Sequence, residues 1–158
     1  MYKSYRRKTL LLYLGGALAV GMALLLIGFF VYTLALRTEY RAFALEVNDA
    51  ILGCPAESRE IARGETRLPL SAWDLDYYDK ALLDQGTAVV DRKVLEPDSR
   101  SIVLILGENR LWFNRVDNTL VNLRWETPSG TRGYTVRCDL ITFAQMSAYF
   151  NNLARAAD

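Results

Sequence analysis

This 158-residue chain has no histidine, two cysteines and four prolines. Without histidine there is no Ser-His-Asp or Cys-His nucleophile pair, no His-ligated zinc and no haem on a proximal His. The two cysteines, Cys54 and Cys138, are too far apart in sequence for a CxxC redox motif, and no imidazole is present to activate either as a nucleophile. The P-loop, G-x-S-x-G and G-x-G-x-x-G patterns are absent as well. Neither charge sign prevails: 19 Lys+Arg against 18 Asp+Glu leave a formal +1, which excludes a bulk polyanion binder. Paired carboxylates can catalyse without histidine, but no spacing among the 18 acids selects a pair. No catalytic residue is assigned, and an enzyme is not expected.

The near-neutral total hides an uneven distribution. Lys3, Arg6, Arg7 and Lys8 stand before any acid, and residues 9–36 carry no charge over 28 positions. The remaining 15 basic and all 18 acidic residues follow, leaving residues 37–158 at −3. The chain therefore divides into a basic N-terminus (1–8), an apolar segment (9–36) and a mildly acidic part of one-domain size (37–158).

A bilayer core needs about 20 helical residues, so the apolar segment is long enough to span one with tilt. Tyr13 and Tyr32 stand near its ends, as interfacial aromatics do. The denser basic flank is N-terminal, which predicts an N-in, C-out single pass with the folded part outside the cytoplasm. The apolar run exceeds the 7–15 residues of a signal peptide's apolar region, so a signal anchor is expected rather than a cleaved leader. Gly15, Ala19 and Ala23 recur every four residues, with Ala17 and Gly21 beside them. Such small-residue spacing lets a second helix approach closely and predicts helix–helix packing in the membrane. No N-x-S/T sequon occurs, which suits a bacterial periplasm better than a glycosylated cell surface.

Beyond the span, Tyr40, Phe43, Val47 and Ile51 recur at helical spacing until Gly53 and Pro55. The span is thus expected to continue into a stalk helix. Residues 56–69 are charged and predict a loop with a short helical turn. Ser71 and Asp74 form an S-x-x-D capping box opening a helix to about Leu83. Strand patterns follow over 87–95, 101–106, 110–116, 119–126 and 133–140, with Asp117-Asn118 suited to a two-residue hairpin turn. Thr142 and Gln145 form a second capping box, flanked by a staple pair Ile141 and Met146, before a C-terminal helix with Phe143, Met146, Phe150 and Leu153 on one face. The predicted class is α+β: a transmembrane helix continuing into a stalk helix, then an antiparallel meander of four or five strands packed with helices.

Cys54 and Cys138 both fall in the part placed in an oxidising compartment, which predicts a disulfide tying the stalk to the last strand. Asp74, Asp76, Asp79 and Asp84 resemble a calcium loop only superficially. Counted from Asp74, Asp79 stands where an EF-hand needs Gly and Gln85 where it needs Glu, so no metal and no cofactor are expected. Trp73, Tyr77 and Tyr78 mix with these acids, and Trp112, Arg115, Arg124 and Trp125 mix basic and aromatic groups on adjacent strands. Aromatics and Arg are enriched at interface hot spots. Both groups are candidate partner-binding surfaces, and neither calls for nucleic acid or a small-molecule substrate.

The outline of a span followed by a helix–sheet domain is shared with pilins. Their processing site is missing, because Gly28-Phe29 is followed by Thr33 where Glu is required, and no Glu precedes Glu39. The expected function is that of a single-pass inner-membrane accessory or scaffold subunit. Its extracytoplasmic domain would bind partner subunits of an envelope-spanning complex, as in secretion, conjugation or pilus assembly. The alternative is a phage lysis protein of the holin or antiholin type, acting by self-assembly through the small-residue stripe.

Overall fold

The computed structural model describes the backbone of residues 2–157 and the side chains of residues 13–71 and 74–157. The chain forms two compact units, Met1–Arg37 and Thr38–Asp158. A single α-helix, α1 (Tyr2–Gly53), runs through the first and into the second. Among the described residues it is the one helix long and apolar enough to cross a membrane. Its apolar window has a mean hydropathy of 2.4, and none of that window is buried. The helix ends where the sequence stops it, at Gly53 before Pro55.

In the second unit the predicted apolar face of α1 is the buried one: Tyr40, Phe43, Val47 and Ile51 all lie in the core. After a 3₁₀ turn (Ala56–Ser58) come strands β1 (Arg59–Arg63) and β2 (Thr66–Pro69), then α2 (Ala72–Leu83) and β3 (Ala88–Asp91). Strands β4 (Ile102–Leu106), β5 (Asn109–Arg115), β6 (Val121–Thr127) and β7 (Gly130–Arg137) follow, and α3 (Phe143–Ala157) closes the chain. The seven strands make one antiparallel sheet in the order β2-β1-β4-β5-β6-β7-β3.

The class is α+β, as the sequence predicts, and the meander β4-β5-β6-β7 is its centre. All five predicted strand regions contain a strand, and two strands outside them widen the sheet to seven. Residues 59–69 form a hairpin where a loop was expected; Gly64, at φ 59°, occupies the first position of a two-residue turn between Arg63 and Thr66, a position that suits glycine. The hairpin adds to β4 through Ile61 opposite Leu104. At the other end β3 returns to pair with β7. The connection between β5 and β6 is also longer than the expected two residues, since Arg115 pairs with Val121. Asp117 Oδ1 accepts from the backbone N–H of Thr119 at 2.6 Å and of Leu120 at 2.7 Å, closing a wider loop. Those backbone donors hold the Asp117 carboxyl below its ordinary pKa.

Both capping boxes form. Ser71 Oγ accepts from Asp74 N–H at 3.3 Å while Asp74 Oδ2 accepts from Ser71 N–H at 3.1 Å. Thr142 and Gln145 do the same at the start of α3.

Side chains opposite one another in the ladder share a face. Ile102, Leu104, Leu111, Phe113, Leu123, Trp125, Tyr134 and Val136 form one buried face. The C-terminal part of α1, with α2 and α3, covers it. Phe43 packs on Tyr134 with ring centroids 4.9 Å apart, Tyr78 on Phe113 at 6.0 Å, and Arg63 stacks over Phe150 at 4.6 Å.

Candidate binding cleft and the covered sheet face

The second face of the sheet is not open. The sequence predicts one strand over 87–95, but β3 stops at Asp91. Residues 92–101 instead cross this face as an irregular strap, carrying the chain from the β3 edge to β4 on the far side of β5. The strap has no strand partner, so side chains of the sheet satisfy its backbone. Asn122 Nδ2 donates to Lys93 O at 2.8 Å, Asn114 Nδ2 to Leu95 O at 3.2 Å and Arg124 Nη1 to the same carbonyl at 3.3 Å. Leu95 N–H donates to Asn122 Oδ1 at 3.4 Å, and Asn122 also reaches Thr135 Oγ1 at 3.3 Å. These polar residues form a buried row, with Asn122 fully enclosed. Gly133 lies beside Lys93 and Val94 and leaves room for the strap backbone. Asp98 ends the crossing: Ser101 N–H donates to its carbonyl at 3.1 Å, turning the chain into β4.

This face holds only part of the aromatic and basic group expected to bind partners. Trp112 is half-buried and its indole Nε1–H donates to Glu126 Oε2 at 2.8 Å. Arg124 is also half-buried, and binds Glu126 through Nη2 at 2.7 Å and Glu96 of the strap. Burial opposes its charge, but the hydrogen bonds and charges of Glu96 and Glu126 outweigh that, so the guanidinium sits above its ordinary pKa. Trp125 is on the opposite face, in register with Leu111 and fully buried, with Nε1–H donating to Glu46 Oε1 at 3.1 Å. That face corrects its assignment as a contact residue: neighbours in a strand point to opposite sides, so Arg124 and Trp125 cannot share a surface. Arg115 alternates onto the helix side but lies exposed at the strand end, its Nη2 donating to Asn118 Oδ1 at 3.0 Å. Glu46 also pairs with Arg132, and that guanidinium holds the Glu46 carboxyl below its usual range.

The second candidate group separates in the same way. Tyr78 is 1% exposed and belongs to the core, whereas Tyr77 is exposed and donates its hydroxyl to Leu140 O. The side chain of Trp73 lies outside the described residues. Between the first turns of α2 and α3 lies a cleft of about 260 Å³, lined by Asp74, Tyr77, Tyr78, Gln145, Met146 and Tyr149. Burial first, and then the charges of Tyr149 and Asp74, push the Tyr78 phenol well above its ordinary pKa. Burial and the neighbouring Asp74 carboxylate do the same to Tyr149. Neither residue ionises near neutrality, so both are neutral hydrogen-bonding groups. The sequence signals a helix start at Asp74 but not this cleft, because Gln145 and Tyr149 join it only when α3 packs beside α2. No group of three or more Cys, Asp or Glu able to hold a metal occurs among the described residues.

The expected disulfide does not form: Cys54 and Cys138 are free and buried. Cys54 is held next to β1, where Arg59 Nε donates to its carbonyl at 2.8 Å, and Cys138 directly follows β7. Four strand spacings separate β1 from β7, or about 19 Å at about 4.8 Å each. A disulfide needs Cα atoms within about 7 Å. The thiols have separate local acceptors instead, Cys54 on Ser58 O at 3.5 Å and Cys138 on Ala81 O at 3.8 Å. Burial raises the Cys54 thiol pKa, which slows its reaction as a thiolate. Unreduced, unfolded protein is therefore expected to bind two equivalents of a thiol reagent, and folded protein to react slowly. Labelling of neither thiol in unreduced, unfolded protein would reinstate the bridge.

The small residues Gly15, Ala17, Ala19, Gly21 and Ala23 all lie exposed on the first unit's helix, and a Cβ placed at Gly15 or Gly21 meets nothing within 4 Å. Fold and sites together define an α+β domain carried on a helix able to cross a membrane. Comparison with known proteins finds no matching family model, no matching curated protein and no matching solved structure.

Proposed function

We propose that this chain is a single-pass membrane accessory subunit, with a cytoplasmic N-terminus and an extracytoplasmic domain that binds partner subunits of an envelope complex. The observation that carries this reading is the single helix Tyr2–Gly53. Its apolar stretch is unburied, while residues 40–51 of the same helix contribute Tyr40, Phe43, Val47 and Ile51 to the domain core. A domain that shares its core with the anchor helix suits a positional role at the membrane. Four cations directly before the span, Lys3, Arg6, Arg7 and Lys8, against two just after it, Arg37 and Arg41, favour the N-in orientation.

Partner contact is best served by surface groups that remain available: Tyr77, Trp112 and Arg115. Strand addition is the weaker route. Edge strand β2 has four residues and ends in Pro69, and edge strand β3 has four residues with a break in its register; short and bulged edges resist pairing. Within the membrane, the exposed Gly15/Ala19/Ala23 stripe is the proposed packing surface for a neighbouring span.

Two measurements test this reading. A reporter enzyme fused after Asp158 is expected to be active only outside the cytoplasm, and cytoplasmic activity overturns the orientation. Crosslinking in the native membrane followed by mass spectrometry is expected to recover a defined set of other membrane subunits, and Ala19→Leu to reduce that recovery. Recovery of homo-oligomers alone would replace this reading with the self-assembling lysis protein.

A further inference from the structure

We propose that the cleft between α2 and α3 is a binding site for a small protonated amine, held by the hydroxyls of Tyr78 and Tyr149 and the carboxylate of Asp74. The hydroxyl oxygens of Tyr78 and Tyr149 are both shielded from solvent; that of Tyr78 has no hydrogen-bond partner, that of Tyr149 has the Asp74 carboxylate beside it, and both residues line the cleft. Tyr78 is 1% exposed, so bulk water does not satisfy its hydroxyl. An unsatisfied buried polar group is destabilising, and a ligand able to pair with it recovers that cost.

The lining decides the ligand's chemistry. Asp74 is the only charged residue among the described lining residues, and its charge falls on both phenols. Asp76 and Asp79 follow on the same helix, with Lys80 paired to Asp76. An anion is therefore repelled, and a neutral apolar ligand leaves the Tyr78 hydroxyl unpaired. An ammonium group matches all three partners, since its N–H donors reach the phenolic oxygens while its charge faces Asp74. The rings of Tyr78 and Tyr149 stand nearly perpendicular, at 80° with centroids 6.0 Å apart, and Tyr77 meets Tyr78 at 75°. These aromatic walls favour a cation, and with Met146 they give the ligand's alkyl part an apolar surface. The volume of about 260 Å³ falls just below the roughly 300–1,000 Å³ of drug-sized pockets, which limits the ligand to a small molecule. Tyr77 supplies a wall only, because its own hydroxyl is committed to Leu140 O.

The test uses the full chain in non-ionic detergent with tyrosine rings labelled for NMR. It is titrated with n-butylammonium, tetramethylammonium and butyrate. Saturable shifts are expected at Tyr78 and Tyr149 with n-butylammonium. Tetramethylammonium, which lacks N–H donors, should bind about fivefold or more weakly, and butyrate should not bind. Tyr78→Phe is expected to weaken n-butylammonium about fivefold or more while leaving the thermal midpoint unchanged or higher, because it removes an unpaired buried hydroxyl. Asp74→Asn should abolish the preference for cation over anion. The proposal is overturned if n-butylammonium shows no saturation at millimolar concentration, if butyrate binds as tightly, or if Tyr78→Phe binds as wild type does.

Discussion

Gly133→Ala is expected to destabilise the Thr38–Asp158 unit by about 2–3 kcal/mol, and a larger residue by more. An added Cβ would stand 2.5 Å from Lys93 O, 2.9 Å from Val94 Cα and 3.1 Å from Lys93 C. All three atoms are backbone, so no side chain can swing aside to relieve the contact. The strap must lift, and lifting it pulls Lys93 O from Asn122 and Leu95 O from Asn114 and Arg124. Asn114, Asn122 and Arg124 then lose their bonds to the strap carbonyls, which adds to the steric cost. The effect is read as a lower thermal midpoint for the full chain in detergent, followed by tryptophan fluorescence. Wild-type stability in Gly133→Ala would show that the strap does not rest on this glycine.

Asn122→Asp is expected to cost more than 3 kcal/mol at pH 7, and the loss should shrink in acid. Asn122 is fully buried and its Nδ2 donates to Lys93 O at 2.8 Å. A carboxylate there turns that donor into a negative oxygen facing a carbonyl. Burial and this repulsion raise the introduced group's folded-state pKa above its unfolded value of about 3.9. In its protonated form the O–H can donate to Lys93 O again. The sign follows from linkage: below the unfolded pKa both states hold the proton and the electrostatic penalty is absent. As pH rises, the unfolded state releases its proton first, and stability falls until the folded pKa is passed. Denaturation midpoints at pH 4 and pH 8 check this, with the variant closer to wild type at pH 4. A deficit independent of pH would mean that the carboxylate reaches solvent and keeps its unfolded pKa.

These two effects share a cause that no sequence pattern announces. Asn114, Asn122 and Gly133 look in sequence like polar or weak positions on half-exposed strands. Their roles come from residues 92–101, which cross above them after the chain has folded back. A period-two pattern reports whether a position alternates, but not which face a neighbouring strap covers. For the same reason Trp112 and Trp125 look alike in sequence yet sit on opposite faces. Trp125 fills the core while Trp112 stays half-buried beside Glu126.

Local signals were readable where the physics is local. The capping boxes at Ser71/Asp74 and Thr142/Gln145 form as written, because all their atoms lie within one helical turn. The core face of α1 over Tyr40, Phe43, Val47 and Ile51 follows from helical periodicity, and the helix stop at Gly53 from the glycine and proline that end it. The strands of the meander emerged from apolar alternation and short turns. The β1–β2 hairpin did not, since Arg59, Glu60, Arg63 and Arg67 mask its alternation and only Gly64 marks the turn.

The sequence by itself determined a long uncharged apolar helix, its amphipathic continuation, two capped helices and an antiparallel meander, all consequences of contacts between residues near in the chain. The tertiary structure decided the rest. The strand order set Cys54 beside β1 and Cys138 after β7, four strand spacings apart, where a shared oxidising compartment had suggested a bond. The crossing of residues 92–101 covered the sheet face that carries Trp112 and Arg124, two of the residues proposed from sequence as a contact surface. The packing of α3 beside α2 brought Tyr149 to Tyr78 and made a cleft. Each of these depends on which strands and helices become neighbours, a choice made by burying the whole apolar surface at once and not by any single segment.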